Sequence, residues 1–308
     1  MGREVSETRC GFVALIGAPN AGKSTLINAL IGEKVSIVSR KAQTTRSTVR
    51  GVLTFGAAQL VFVDTPGVFA PKRRLDRAMV ASALSAAADA DVLAVIVDAR
   101  KEAAESSLAA ETAQILAAIE PIGKPKVLIL NKIDVMDRAK LLELSSRLNG
   151  AARFDETFMI SAASGDGLGR LKERLTELAP LGPWLYPEDQ IAEAPMRSLA
   201  AEITREKLFD RLHDELPYQA TVETDSWQDQ ADGSARIEQT IFVTRESHRK
   251  IVIGQGGQTI KAIGTAARKD IAAANGANVH LFLHVKVREN WLDDPERYRA
   301  MGLDFPKG

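Results

Sequence analysis

A single cysteine, Cys10, stands among 308 residues. It excludes an intramolecular disulfide and agrees with a reducing, cytosolic compartment. Net charge is missing too, because Lys plus Arg and Asp plus Glu each total 40. Overall charge therefore gives no support for a polyanionic partner, and any grip on nucleic acid has to come from a local patch. No run approaches about eighteen apolar residues, so no membrane-spanning helix is expected. The N-terminus carries no apolar core of a secretory signal. Met1-Gly2-Arg3-Glu4-Val5-Ser6 fits an N-myristoylation pattern and is read as a chance match. Internal repeats and low-complexity tracts are absent as well. What is present is ordinary globular composition, 45% apolar and 26% charged, at a length that suggests two domains.

From 11 to 178, short apolar runs alternate with Ala- and Leu-rich amphipathic stretches. The runs Phe12–Ile16, Leu60–Val63, Val92–Val97, Lys126–Leu130 and Phe158–Ile160 predict strands, with a further one at Thr48–Phe55. Helices are expected at Lys23–Ile31, Arg73–Ala88, Ala103–Ile119, Arg138–Leu148 and Leu168–Leu178. Near-continuous apolar strands between helices mean an α/β fold, a mostly parallel sheet with helices on both faces. Three prolines between Pro183 and Pro195 then break the pattern. Beyond them the order becomes helix, strand, strand, helix, helix, strand, a smaller α+β module. The domains are expected at 1–180 and 196–292, with a linker at 181–195 and a tail at 293–308.

Directly behind the first strand comes Gly17-Ala18-Pro19-Asn20-Ala21-Gly22-Lys23-Ser24, followed by Thr25. This is a complete phosphate-binding loop. A Gly-rich turn entering a helix aims backbone N–H groups and the helix N-terminus at a polyphosphate. Asp64-Thr65-Pro66-Gly67, Asn131-Lys132-Ile133-Asp134 and Ser161-Ala162-Ala163 each follow a later predicted strand, at the ends where parallel sheets bind ligands. Taken singly, each also fits a helix cap or a solvated turn; the ordered set specifies a nucleotide site. Lys23 brings positive charge to the β- and γ-phosphates, and the Ser24 hydroxyl suits Mg2+. Asp64 suits the ion's water shell. The Gly67 N–H can approach a γ-phosphate. The Asp134 carboxylate can accept two hydrogen bonds from guanine, a donor pair adenine lacks, which argues for GTP over ATP.

These motifs in this order resemble a translation-factor-class GTPase. The resemblance implies that Asn131 and Lys132 line the base pocket and that the Ala162 backbone N–H meets guanine O6. The last motif often reads Ser-Ala-Lys in that class, whereas Ala163 stands here. Switch I is expected in Lys34–Thr48, with Thr45 reaching Mg2+ by similarity and Thr44 as the rival. Arg40, Lys41, Arg46 and Arg50 have no acid among them in this stretch, which reads either as a solvated loop or as a phosphate or RNA contact. Hydrolysis is where the chain departs from Ras-type enzymes: Val68 follows the Asp-x-x-Gly motif and has no group to orient water, so a low intrinsic rate is expected. Among relatives with Pro-Asn in this loop the Asn coordinates a monovalent cation. Asn20 is in that position, where a bound K+ would act as an arginine finger does. Lys23, Thr45, Gly67 and Asn20 are thus the expected catalytic set.

In the second module, Ile251-Val252-Ile253-Gly254-Gln255-Gly256-Gly257-Gln258-Thr259-Ile260 matches the signature of a KH domain, and the element order is that of type II. Such a Gly-x-x-Gly loop clamps a single-stranded nucleic-acid backbone. Gln255 and Gly256 replace the basic residues common there, so charge must come from Arg245, Arg249, Lys250, Lys261, Arg268 and Lys269, against Glu246 alone. The other reading is a KH fold kept as a protein-binding platform in a signalling or membrane-associated GTPase. An ATP-dependent P-loop enzyme is the second rival. From Gly11 to Leu292 the chain resembles the Era family of bacterial GTPases. Further matches are Ser39-Arg40-Lys41-Ala42-Gln43-Thr44-Thr45-Arg46, Arg205-Glu206-Lys207-Leu208, Glu215-Leu216-Pro217-Tyr218 and Ala267-Arg268-Lys269-Asp270. The resemblance implies a role in 16S rRNA processing and 30S subunit assembly, with the KH module on the 3′ end of 16S rRNA. It also implies a cytoplasmic protein, a fraction of it at the inner face of the cell membrane. A monomer is expected.

Overall fold

The computed structural model describes residues 8–306 apart from Arg40, 42–44, Ser47, Lys72 and Ala194. Two compact units divide the chain. The first takes Met1–Ser36, Thr45–Glu193 and Met301–Gly308; the second takes Ile37–Thr44 and Ala194–Ala300.

The first unit is an α/β sandwich. Its strands are β1 (Arg9–Ile16), β2 (Val49–Phe55), β3 (Ala58–Asp64), β4 (Val92–Asp98), β5 (Lys126–Asn131) and β6 (Glu156–Ile160). They lie in the order β2-β3-β1-β4-β5-β6, all parallel except the β2–β3 hairpin. Its helices are α1 (Lys23–Ile31), α2 (Arg74–Asp89), α3 (Ala99–Ala103), α4 (Ala110–Ile119), α5 (Arg138–Ala151) and α6 (Leu168–Leu178). β3 is buried along its whole length, as a strand covered on both faces must be. α6 buries Leu168, Leu171 and Leu175 at helical spacing. Each such side chain contributes about 1.5–3 kcal/mol, enough to seat a helix whose other face is charged.

One helix expected over Ala103–Ile119 is two. Asp98 caps α3, its Oδ1 accepting from the N–H groups of Arg100 and Lys101, both at 3.1 Å. The buried Glu102 carboxylate then takes the Ala109 N–H at 2.9 Å and the Thr112 hydroxyl at 2.6 Å. Those bonds turn the chain between the two helices.

The second unit holds α7 (Met196–Arg211), β7 (Ala220–Asp229), β8 (Ala235–Val243), α8 (Glu246–Ile253), α9 (Gln258–Asn275), β9 (Val279–Val287) and α10 (Pro295–Ala300). β8 is central, antiparallel to β7 and parallel to β9. Among the described residues no helix is long and apolar enough to cross a membrane.

The unit boundaries differ from the expected ones at Ile37–Thr44, which falls in the second unit, and at three further places. Residues 181–193 are a strap on the first unit instead of a free linker. The Ile191 carbonyl accepts from Val52 N at 2.9 Å and Glu193 N donates to Arg50 O at 3.1 Å. The fully buried Gln59 side chain accepts from Leu185 N and Tyr186 N and donates to Tyr186 O. β2 is the sheet edge, and the strap satisfies backbone groups that would otherwise stand open. Residues 293–300 are part of the second unit, anchored by buried Trp291, which donates to Gln219 O, and buried Tyr298, which donates to Leu292 O. After them the chain returns to the first unit, where Leu303 is buried and the Arg74 guanidinium lies 5.0 Å over the Phe305 ring.

Candidate nucleotide site and nucleic-acid interface

β1 delivers its loop into α1 as expected. Gly22, the residue before α1, is left-handed (φ 104°), and a Cβ there would stand 2.2 Å from Asn131 Nδ2; only glycine fits. Asn20 is also left-handed (φ 63°) and exposed, a conformation asparagine tolerates better than most. Lys23 is buried, its ammonium donating to the Gly17 and Ala18 carbonyls at 3.0 Å each. Burial pushes its pKa down to about 8, against the opposing pull of Asp64. Ala18, Pro19, Ala21 and half-buried Thr25 complete the turn.

The Asp64 carboxylate, fully buried, closes β3. Its Oδ2 accepts from Ser24 at 2.7 Å, Ser36 at 2.7 Å and Thr45 at 3.4 Å, and the Ser24 and Thr45 hydroxyls lie 3.0 Å apart. Its Oδ1 is buried with no protein partner. Burial raises the Asp64 pKa, while Lys23 and the three hydroxyls oppose the rise. Thr65 is turned away from this cluster: its hydroxyl donates to Leu15 O at 2.7 Å and ties β3 to β1. Pro66 is buried beside it. A Cβ on Gly67 would meet Pro19 N at 2.8 Å, and Val68 N donates to Gly17 O at 3.1 Å. The glycine is therefore what lets this loop lie on the phosphate loop. Val68 itself is buried, with nothing to offer a water molecule.

At the far strand ends, the buried Asn131 amide donates to Ala21 O at 2.9 Å and accepts from Ala162 N at 3.0 Å. It ties the phosphate loop to the Ser161–Ala163 turn. The Ala162 N–H expected at guanine O6 is the one that donates to Asn131. Lys132 (φ 68°) pairs with Asp98 at 2.5 Å and donates to Asn20 O at 2.7 Å. Asp134 is exposed on a single 3-10 turn, Ile133–Val135. Ser161 is buried and its hydroxyl accepts from Ser164 N at 3.3 Å; Ala163 is exposed.

The described members of the basic stretch from Arg40 to Arg50 differ in their surroundings. Lys41 donates to the Phe209 and Leu212 carbonyls at the end of α7, where a cation is favoured. Arg46 is buried. Arg50 pairs with Glu193 at 2.9 Å and lies 5.8 Å over the Phe12 ring. Arg40, Gln43 and Thr44 lie outside the described residues, and Thr45 is placed beside Ser24 and Asp64. Three residues at the site escaped the motif reading: Ser36, Asn28 and Asp98. Asp98 closes β4, so the strand-end rule that located Asp64 and Asn131 also points to it.

In the second unit, Gly254 (φ 75°) leaves α8, and a Cβ there would come 2.2 Å from Thr259 Oγ1. Gln255 and Gly256 are exposed at the tip, Ile253 and Gly257 half-buried. Lys250 and Lys261 beside this turn in sequence are exposed, as are Arg268 and Lys269 further along α9. Arg249 pairs with Glu246 at 2.8 Å and donates to Val285 O at 3.3 Å.

The sheet order and its strand-end loops define a P-loop GTPase followed by a KH module. Residues 12–132 match the 50S ribosome-binding GTPase family and residues 215–292 match the KH domain family. The chain is 61% identical to GTPase Era of Afipia carboxidovorans, over 97% of this chain and 96% of that protein. Against GTPase Era of Brucella melitensis the identity is 59%, over 98% and 96%. A crystal structure of Era in complex with MgGDPNP and nucleotides 1506–1542 of 16S ribosomal RNA superposes with a TM-score of 0.89 at 37% identity, covering 96% of this chain and 99% of that one. Aquifex aeolicus Era bound to GDP and AlF4− gives 0.89 at 36% identity, with the same coverage. The chain belongs to the Era family of GTPases.

Proposed function

We propose that this GTPase is a GTP-controlled RNA-binding switch that acts on the 3′ end of 16S rRNA during assembly of the 30S subunit. It works as a cytoplasmic monomer with peripheral access to the inner membrane face. The carrying observation is the pairing of a phosphate loop that buries Lys23 with a Gly-x-x-Gly turn flanked by exposed Lys250 and Lys261, with exposed Arg268 and Lys269 further along α9. The similar Era structure solved with MgGDPNP and 16S nucleotides supports the same pairing of ligands.

Lys23 binds the β- and γ-phosphates, Asp134 selects guanine, and Lys132 is braced against the base pocket by Asp98. Ser24, Thr45 and Asp64 form a set of hard oxygen donors with one orphaned buried carboxylate oxygen, which fits Mg2+ and its water shell. When bound, that ion neutralises phosphate charge. Hydrolysis is slow because buried Val68 orients no water, and Asn20 holds a K+ that compensates; turnover in K+ against Na+ tests this, and equal rates would reject it.

Support for a switch comes from the segment Ile37–Thr44. Both residues that flank it, Ser36 and Thr45, touch Asp64, while Ile37 sits in the apolar cluster of the second unit with Ala200 and Ile203. Ordering Thr45 on a metal would bear on the adjoining segment Ile37–Thr44 and so would supply the differential interaction that a switch needs. An oligonucleotide of the 16S 3′ end should bind more tightly with a non-hydrolysable GTP analogue loaded than with GDP. Identical affinities would reject the coupling, and no RNA affinity in either state would favour a protein partner for the KH fold.

A further inference from the structure

We infer that Ser36 is a positioning residue for the metal-facing carboxylate of Asp64, and that Asn28 of α1 sets it in place; the inference rests on the Mg2+ reading above. Three hydroxyls converge on Asp64 Oδ2 and none on Oδ1. Two of them, Ser24 and Thr45, are the oxygen donors assigned to the ion. A hydroxyl that turns a lone pair to a cation no longer has its geometry set by the carboxylate alone. Ser36 has no such second duty.

Its backbone is fixed from both sides. Asn28 Oδ1 accepts from Val35 N at 2.9 Å and Ser36 N at 3.0 Å, while Asn28 Nδ2 donates to Ser36 O at 2.7 Å. All of that side chain's hydrogen-bonding capacity except one donor is thus spent on holding two residues of the loop. Asn28 in turn belongs to the helix that Lys23 and Ser24 begin. One rigid element therefore carries the phosphate-binding lysine, a metal-facing hydroxyl and, through Ser36, the orientation of Asp64. The Ser36 hydroxyl is buried at 2% exposure and lies 2.7 Å from Oδ2. With Oδ2 held there, Oδ1 is the oxygen left to present. Partners that orient ligand carboxylates typically contribute 10- to 100-fold to metal affinity.

The test is a Mg2+ titration of fluorescent GDP binding by the full chain, paired with the affinity for the same nucleotide in EDTA. Ser36→Ala should raise the Mg2+ half-saturation about tenfold with the EDTA affinity unchanged. Ser36→Thr, which keeps the hydroxyl, should stay near wild type. Asn28→Ala should move the Mg2+ half-saturation the same way. An unchanged Mg2+ response in Ser36→Ala would overturn the inference, as would an equal loss in EDTA, which marks a general structural role. If the wild type itself shows no Mg2+ dependence, the metal reading fails before this one is reached.

Discussion

The molecule has two glycine-rich loops that run into a helix, and they solve the same chemical problem in opposite ways. Gly17–Gly22 enters α1 and Gly254–Gly257 enters α9, each with a left-handed glycine just before the helix, at φ 104° for Gly22 and 79° for Gly257. Both leave backbone open to an approaching phosphate. The first brings its charge inside: Lys23 is buried among carbonyls beside a buried carboxylate, and Asn131 ties the loop to a neighbouring turn. The second keeps its tip bare and leaves the charge outside on Lys250, Lys261, Arg268 and Lys269. A buried charge is desolvated before the ligand arrives and favours one shape of anion. Exposed charges act through a screened field, tolerate many backbones and let go when salt rises.

The largest expected effect tests that contrast directly. Lys23→Ala should weaken nucleotide binding by about 100-fold or more, while RNA affinity of the nucleotide-free protein stays as it was. Calorimetric titration of both ligands into one preparation checks it, and parallel losses would mean that the loops are not independent phosphate sites. Next is Asp98→Ala, which removes both the Lys132 pair and the α3 cap. A roughly tenfold loss of guanine nucleotide affinity is expected, with about 1 kcal/mol lost from thermal stability through the cap. The smallest effect separates Lys261 from Arg249. Lys261→Ala should lower RNA affinity a few-fold and reduce the salt slope by about 1. Arg249→Ala should leave that slope unchanged, because its guanidinium already serves Glu246 and Val285. Equal slopes for the two variants would place Arg249 on the RNA.

The first of these loops was far easier to read from sequence than its surroundings. Lys23, Asp64 and Asn131 sit at strand ends in a fixed order, and a local motif places them because the backbone around them is local. The switch segment depends on distant partners. The surroundings of Lys41 and Arg46 stayed open between solvent and a phosphate or RNA contact, because nothing nearby in sequence announces the end of α7 or the burial of Arg46. Ser36 and Asn28 carry no motif at all; their meaning lies in the approach of Asp64, 28 residues on from Ser36. The prolines between 183 and 195 correctly ruled out a helix, yet they say nothing about which surface an extended segment will cover. The clue to the strap is Gln59, a polar side chain near the start of a fully buried strand, and such a residue in a core must have a partner.

That strap also fixes an order of events during synthesis. β2 and β3 leave the ribosome well before residues 181–193 do, so the newborn sheet has a bare edge with the Gln59 amide unmet. The edge closes only when Leu185, Tyr186, Ile191 and Glu193 arrive. By then the chain is already entering its second unit. The first unit thus waits on the strap, made just ahead of the KH module, and then on residues 301–306, made after it, which leaves the nascent chain no interval as a completed, freestanding GTPase.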